Sequence, residues 1–176
     1  MTVEQIVEKI RNLAHDRVMP AEYIYDFINL ALKDVEARGD FNWQLYKEEI
    51  AIPAGSTTIN FTKTPVKRII SINPDIDVSL AGGMPQLVSP PTKDITVTFV
   101  YTFYHPDFDG TEANKIIPND WLYILGGTYY LLLHNEDPAA AVYQTKFFEE
   151  LDNEYERNAF ILPVKPNLIE EEIGSI

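Results

Sequence analysis

Few residues in this sequence are of types that do chemistry. Three His and no Cys stand among 176 residues, so thiolate metal sites, disulfides and Cys nucleophiles are excluded together. The richest cluster is His105-Pro106-Asp107-Phe108-Asp109-Gly110, with Glu112 close behind. One imidazole and two carboxylates at this spacing could hold a divalent cation or work as an acid-base set. The stretch has the composition of a calcium loop, but its Gly follows the second Asp directly and no Glu stands at the twelfth position. His134-x-Glu136-Asp137 comes next, and there helix chemistry uses every residue: His suits a helix C-terminus and Asp caps the following helix. His15-Asp16 admits the same end-of-helix reading. Lys63, Lys67 and Arg68 form one local basic cluster, read as a solvated strand edge or else as a contact for an acidic protein. No G-x-x-x-x-G-K-[ST], G-x-S-x-G or H-E-x-x-H pattern is present, and Gly82-Gly83 opens no helix. The expectation is a non-enzyme with no catalytic residue, no cofactor and no metal.

Composition narrows the classes further. Twenty-seven Asp and Glu against 14 Lys and Arg give a formal charge of -13, which repels phosphate backbones and anionic lipid. Sequence-specific DNA reading is therefore disfavoured. At 45% hydrophobic and 23% charged the chain is of the folding kind, and a chain of this length buries roughly 70% of its unfolded surface. No apolar run approaches the ~20 residues of a membrane span, and Met1-Thr2-Val3-Glu4-Gln5 lacks a basic n-region. A soluble protein without an export signal or membrane contact is expected.

The elements that must position these residues follow from periodicity. Thr2 and Gln5 make a capping box, and Val3, Ile6, Val7, Ile10, Leu13 and Ala14 recur at helical spacing to about Asp16. A second helix opens at Pro20, buries Ile24, Phe27, Ile28, Ala31 and Val35, and is predicted to end on Gly39 in a left-handed conformation. After Asp40 the period becomes two. Ile50-Ala51-Ile52, Pro53-Ala54-Gly55-Ser56 and Thr57 to Phe61 read as a β-hairpin, Val66 to Ile72 as a further strand, and Ile95 to Tyr104 as the strongest one. Asn73 to Lys93, dense in Pro and Gly, reads as a loop excursion of ~20 residues. Pro118 opens a third helix that is apolar nearly all round, and Asp137 with Pro138 opens a fourth, apolar along Tyr143, Phe147, Leu151 and Tyr155. Gly126-Gly127 in the third helix costs about 1 kcal/mol per Gly relative to Ala, which points to close approach by helix one or two, or to a hinge. The fold class is thus α+β: a four-helix body from 1-40 and 116-158, an antiparallel β insertion over 41-115, and an extended C-terminal tail over 159-176. That tail holds Phe160, Ile161, Leu162, Val164, Leu168, Ile169, Ile173 and Ile176, which is too apolar a set for a solvating tail.

The order of these elements resembles the adaptor family of tailed-bacteriophage head-to-tail connectors, which includes the proteins called tail tubular protein A. The likeness runs through Phe27-Ile28-Asn29-Leu30-Ala31-Leu32 and Ile50 to Phe61. It continues in Val97-Thr98-Phe99-Val100-Tyr101 before a Pro, Ile117-Pro118-Asn119-Asp120-Trp121 opening an apolar helix, and Tyr143 to Leu151. The resemblance implies a virion structural protein of the neck, assembled in the host cytoplasm as a ring, usually of twelve copies, beneath the portal protein. It implies neighbouring copies as partners, a tail or nozzle protein below, and double-stranded DNA only as passing cargo. The eight apolar residues of the tail would then be portal-binding residues. Three alternatives stand beside it: another neck or tail-completion ring, a metal-dependent enzyme using His105, Asp107 and Asp109, and an acidic inhibitor that mimics DNA.

Overall fold

A computed structural model describes residues 1–81 and 84–159. The eight tail residues named above lie outside the described residues.

Helix α1 (Val3–Leu13) starts where the sequence says: the Thr2 hydroxyl accepts the Gln5 amide and the Gln5 side chain accepts the Thr2 amide. It stops three residues before Asp16, with His15 in the left-handed region at φ 54°. Asp16 then accepts the Val18 and Met19 amides and turns the chain into α2 (Ala21–Arg38). Pro20 stands just outside that helix, where its missing N–H costs nothing. Gly39 does not end α2 left-handed. Its backbone is extended, and the glycine is required by space, since a Cβ there would lie 2.6 Å from the Tyr155 ring.

Helices α3 (Asp120–His134) and α4 (Ala140–Asn158) form the expected hairpin. Asn119 caps α3 by accepting the Trp121 amide, and Glu136 takes the left-handed turn between the helices at φ 55°. Asp137 caps the turn ahead of α4 through the Ala139 amide, and regular helix begins two residues beyond Pro138. α3 is the central helix, packed against the other three, and only its ends expose large apolar side chains, Trp121 and Leu133. The glycine pair explains how it fits. A Cβ on Gly126 would lie 2.4 Å from Ala31 Cβ, and one on Gly127 would lie 2.7 Å from Ile10 Cδ1. Both neighbouring helices approach the α3 backbone there, so the pair is a packing requirement.

The middle of the chain forms a three-stranded antiparallel sheet in the order β1-β5-β2, from β1 (Leu45–Ile52), β2 (Val66–Asn73) and β5 (Ile95–Phe103). The predicted hairpin of 50–52 with 57–61 does not form. β1 pairs along its whole length with β5, from Leu45 opposite Thr102 to Ile52 opposite Ile95. The Pro53–Ser56 turn is present, but its amides are tied to the approach to β5: Ala54 donates to Asp94 and Gly55 to the Pro91 carbonyl. Residues 57–61 cross the sheet face instead, burying Ile59 and Phe61, and the Phe61 ring meets Phe99 and Tyr101 edge-on. Nor is 73–93 a plain excursion, because β3 (Val78–Ala81) pairs with β4 (Met84–Leu87) in a small second sheet.

Buried apolar side chains fall into two clusters with no member in common. One joins the four helices and also takes in Phe41, Phe108 and Ile117; the other lies between the main sheet and the segments covering it, centred on Val97, Phe99 and Tyr101. The architecture is α+β, four helices plus an antiparallel sheet built from the middle of the chain.

Candidate functional site

β2 is an edge strand of the main sheet and Arg68 is exposed on it, as the solvated-edge reading expects, but Lys67 beside it turns inward. Lys67 on β2 is largely buried, and its ammonium donates to the Gly39 carbonyl at 2.9 Å and the Glu36 carbonyl at 3.1 Å, and pairs with the Asp40 carboxylate at 2.8 Å. Arg68 reaches the second Asp40 oxygen at 3.3 Å from a more exposed position. These oxygens stand at the C-terminal end of α2, where carbonyls lack helical partners and the helix dipole is negative, so a cation is well placed. Lys63 lies elsewhere, its backbone amide donating to the Tyr101 hydroxyl. Tyr101 in turn donates to Glu48, which also accepts from Thr62. Burial works against the Glu48 charge, yet these hydrogen bonds prevail and hold its carboxyl below the ordinary range.

His105, Asp107 and Asp109 are close in sequence but are turned to separate structural tasks. The His105 ring is buried between Trp43 and Tyr123. Nδ1 faces the Pro106 carbonyl and Nε2 lies 3.1 Å from the Tyr123 hydroxyl, which assigns the neutral ring with Nδ1–H donating and Nε2 accepting. Burial pushes its pKa down to about 4, against weaker opposing pulls from the Pro106 carbonyl and Asp107. Asp109 accepts both the amide and the hydroxyl of Thr111, which hold its carboxyl low, and the Asp107 carbonyl accepts the Asn114 side chain. Between them Phe108 turns inward against Tyr25 and Tyr123, and its amide and carbonyl are both satisfied by Asn29 of α2. Among the described residues, no group of three or more His, Asp or Glu is arranged to hold a metal.

His134, Glu136 and Asp137 occupy the α3–α4 junction in the helix-end roles read from their spacing, with the His134 ring against Phe27. Among the described residues, two depressions are large enough to matter. One of mixed lining, about 740 Å³, lies beside α1, α2 and the 110–112 turn, between Glu4, Val7, Glu8, Arg11, Tyr25 and Glu112; there Glu112 is engaged by the Val3 amide and the Arg11 Nε by the Met19 carbonyl. A mainly apolar one of about 460 Å³ separates residues 58–65 from β4, with Phe61, Pro65 and Pro85 in its walls. Neither brings a nucleophile together with a base.

The arrangement the sequence reading missed is the root of the β insertion. A run of rings, Tyr155, Phe41, Trp43, His105 and Tyr123, joins α4, both chain crossings and α3, with successive centroids 5.2 to 6.1 Å apart. Glu36 of α2 accepts the His105 amide, and burial first of all raises the Glu36 pKa. No sequence motif marks this root, because its five rings come from four segments far apart in the chain. Outward from it, α4 shows an acidic row, Glu149, Asp152 and Glu156, of which Asp152 pairs with Arg38 at 2.9 Å.

Comparison with models of known protein families and with curated proteins finds no match.

Proposed function

We propose that this chain is a structural protein of a phage virion: a head-to-tail adaptor subunit that forms a ring beneath the portal and lines the DNA passage. The observation that carries the reading is the order of elements, a helical pair, a β insertion returning to the same body, and a second helical pair followed by an apolar tail in the sequence. That order matches the segments through which the chain resembles the connector adaptors.

Physical arguments support it. A ring subunit needs two unlike flanks that meet by rotation, and a helical body with a laterally rooted sheet offers them. A formal charge of -13 per copy, with eight acidic and two basic side chains over 116–158, lets a duplex pass without sticking. The tail from Ala159 onward is apolar enough to gain by docking into portal clefts, at an ordering cost met on assembly.

The test is the light-scattering mass of the protein alone and mixed with the portal ring of the same source, for the full chain and for the chain ending at Asn158. A ring-sized complex seen only with the full chain is expected. No association in either form, with the protein staying a monomer, overturns the proposal.

A further inference from the structure

We infer that residues 45–104 form a separately cored arm, held in one orientation on the helical body by a polar latch in which Lys67 is the principal member. The argument is geometric. The arm's core shares no buried residue with the helical core. Its two connections to the body are adjacent, since Leu45 lies opposite Thr102 in the β1–β5 ladder, so together they make one neck. The neck runs through β1 and β5 alone, so it leaves rotation about itself weakly opposed, and a contact from the third strand, β2, at the same end of the sheet is needed to fix the angle.

Lys67 supplies that contact. Among the described residues, Lys67 and Arg68 make every hydrogen bond and ion pair joining 45–104 to the helices and their caps. The ammonium has three N–H donors and three oxygens around it, on Glu36, Gly39 and Asp40. Among the described residues, an apolar contact accompanies it: Ile116, next to Ile117 of the helical core, packs on the sheet core while only partly buried. Water can replace each hydrogen bond of the latch, whereas neither core can be opened without exposing its apolar surface. Releasing the latch therefore turns the arm and unfolds nothing. On the body side the ring run from Tyr155 to Tyr123 holds both crossings firm, so the pivot falls at Leu45 and Tyr104.

The chain has no Cys, so two introduced thiols are its only ones. Thr96→Cys on β5 and Asn153→Cys on α4 are both exposed and carry a spin-label pair whose distance distribution reads the arm's orientation. One narrow peak is expected with Lys67 present. Lys67→Met keeps the alkyl stem and removes the donors; it broadens the peak or adds a second, while circular dichroism and amide-exchange protection of both cores stay unchanged. Asp40→Asn leaves the two carbonyl contacts and broadens the peak less. An unchanged peak in Lys67→Met overturns the inference. Joint loss of protection in both cores in either variant also overturns it, since arm and body would then be one cooperative unit. The protein is measured alone, so the result is independent of the adaptor reading.

Discussion

Neutral His105 donates to the Pro106 carbonyl and accepts from Tyr123 while packed between two rings, and a proton on Nε2 would face the Tyr123 hydroxyl in a site with little water. Its folded pKa of about 4 lies below the ordinary 6.5, so the unfolded chain binds the proton more readily. The stabilisation is fully present above pH 6.5, falls as pH drops, and levels off below about 4. Its full size is about 3 kcal/mol, of which about 2 kcal/mol is lost by pH 5, before most carboxylates titrate. Glu36 acts with the opposite sign: its raised pKa makes ionisation cost stability as pH rises above the ordinary carboxylate range. Urea unfolding of the native chain and of His105→Phe at pH 7 and pH 5 checks this. The variant starts less stable, having left the Tyr123 hydroxyl without its acceptor, but should show a much smaller difference between the two pH values. An equal difference in both proteins would assign the pH dependence elsewhere.

Packing between elements is decided where α3 gives up side chains. Replacing Gly by Ala within a helix ordinarily gains about 1 kcal/mol, but a methyl on Gly126 would stand 2.4 Å from Ala31 Cβ, a distance real Cβ atoms do not show. The clash wins, and Gly126→Ala is expected to destabilise by roughly 1 to 3 kcal/mol, with α2 forced away from α3. Adding Ala31→Gly opens the space, so the double variant should recover a large part of the loss in a double-mutant cycle; additive losses would place the strain against Phe147 instead. Asn119 is the second element-scale test. It caps α3 through the Trp121 amide and donates to both Glu150 and the buried Glu154 of α4. Asn119→Ala is expected to cost about 2 kcal/mol in denaturant unfolding, a lost cap plus two carboxylates each left with one donor fewer. A change below half a kcal/mol would mean that the cap is replaceable by water.

For the whole molecule, charge makes the clearest prediction. A labelled duplex mixed with the protein at 50 mM salt should show no change in fluorescence anisotropy at micromolar protein, because a formal charge of -13 repels the phosphate backbone. Tight duplex binding would remove the passive-passage part of the proposal. The sequence by itself determined the start of α1, since a cap is a local bond such as Thr2 to Gln5, and placed α3 and α4 to within two or three residues, α3 opening at Asp120 behind Asn119 rather than at Pro118. The strand faces were set the same way, since alternation along Ile95 to Phe103 is local too. It also determined the α+β class and the surplus of acid. Partner choice was beyond it: alternation marks 50–52 and 57–61 as extended but does not say that β1 takes β5 while Ile59 and Phe61 cover the sheet. Only the tertiary structure decided why Gly39, Gly126 and Gly127 are glycine, because each answers a side chain distant in the chain: Tyr155, Ala31 and Ile10. It alone turned Lys67 from an apparent surface charge into the tie between sheet and helix, and His105 from a candidate ligand into a buried neutral ring. Local pattern records what a residue can do, and burial by segments far away in sequence selects which of those things it does.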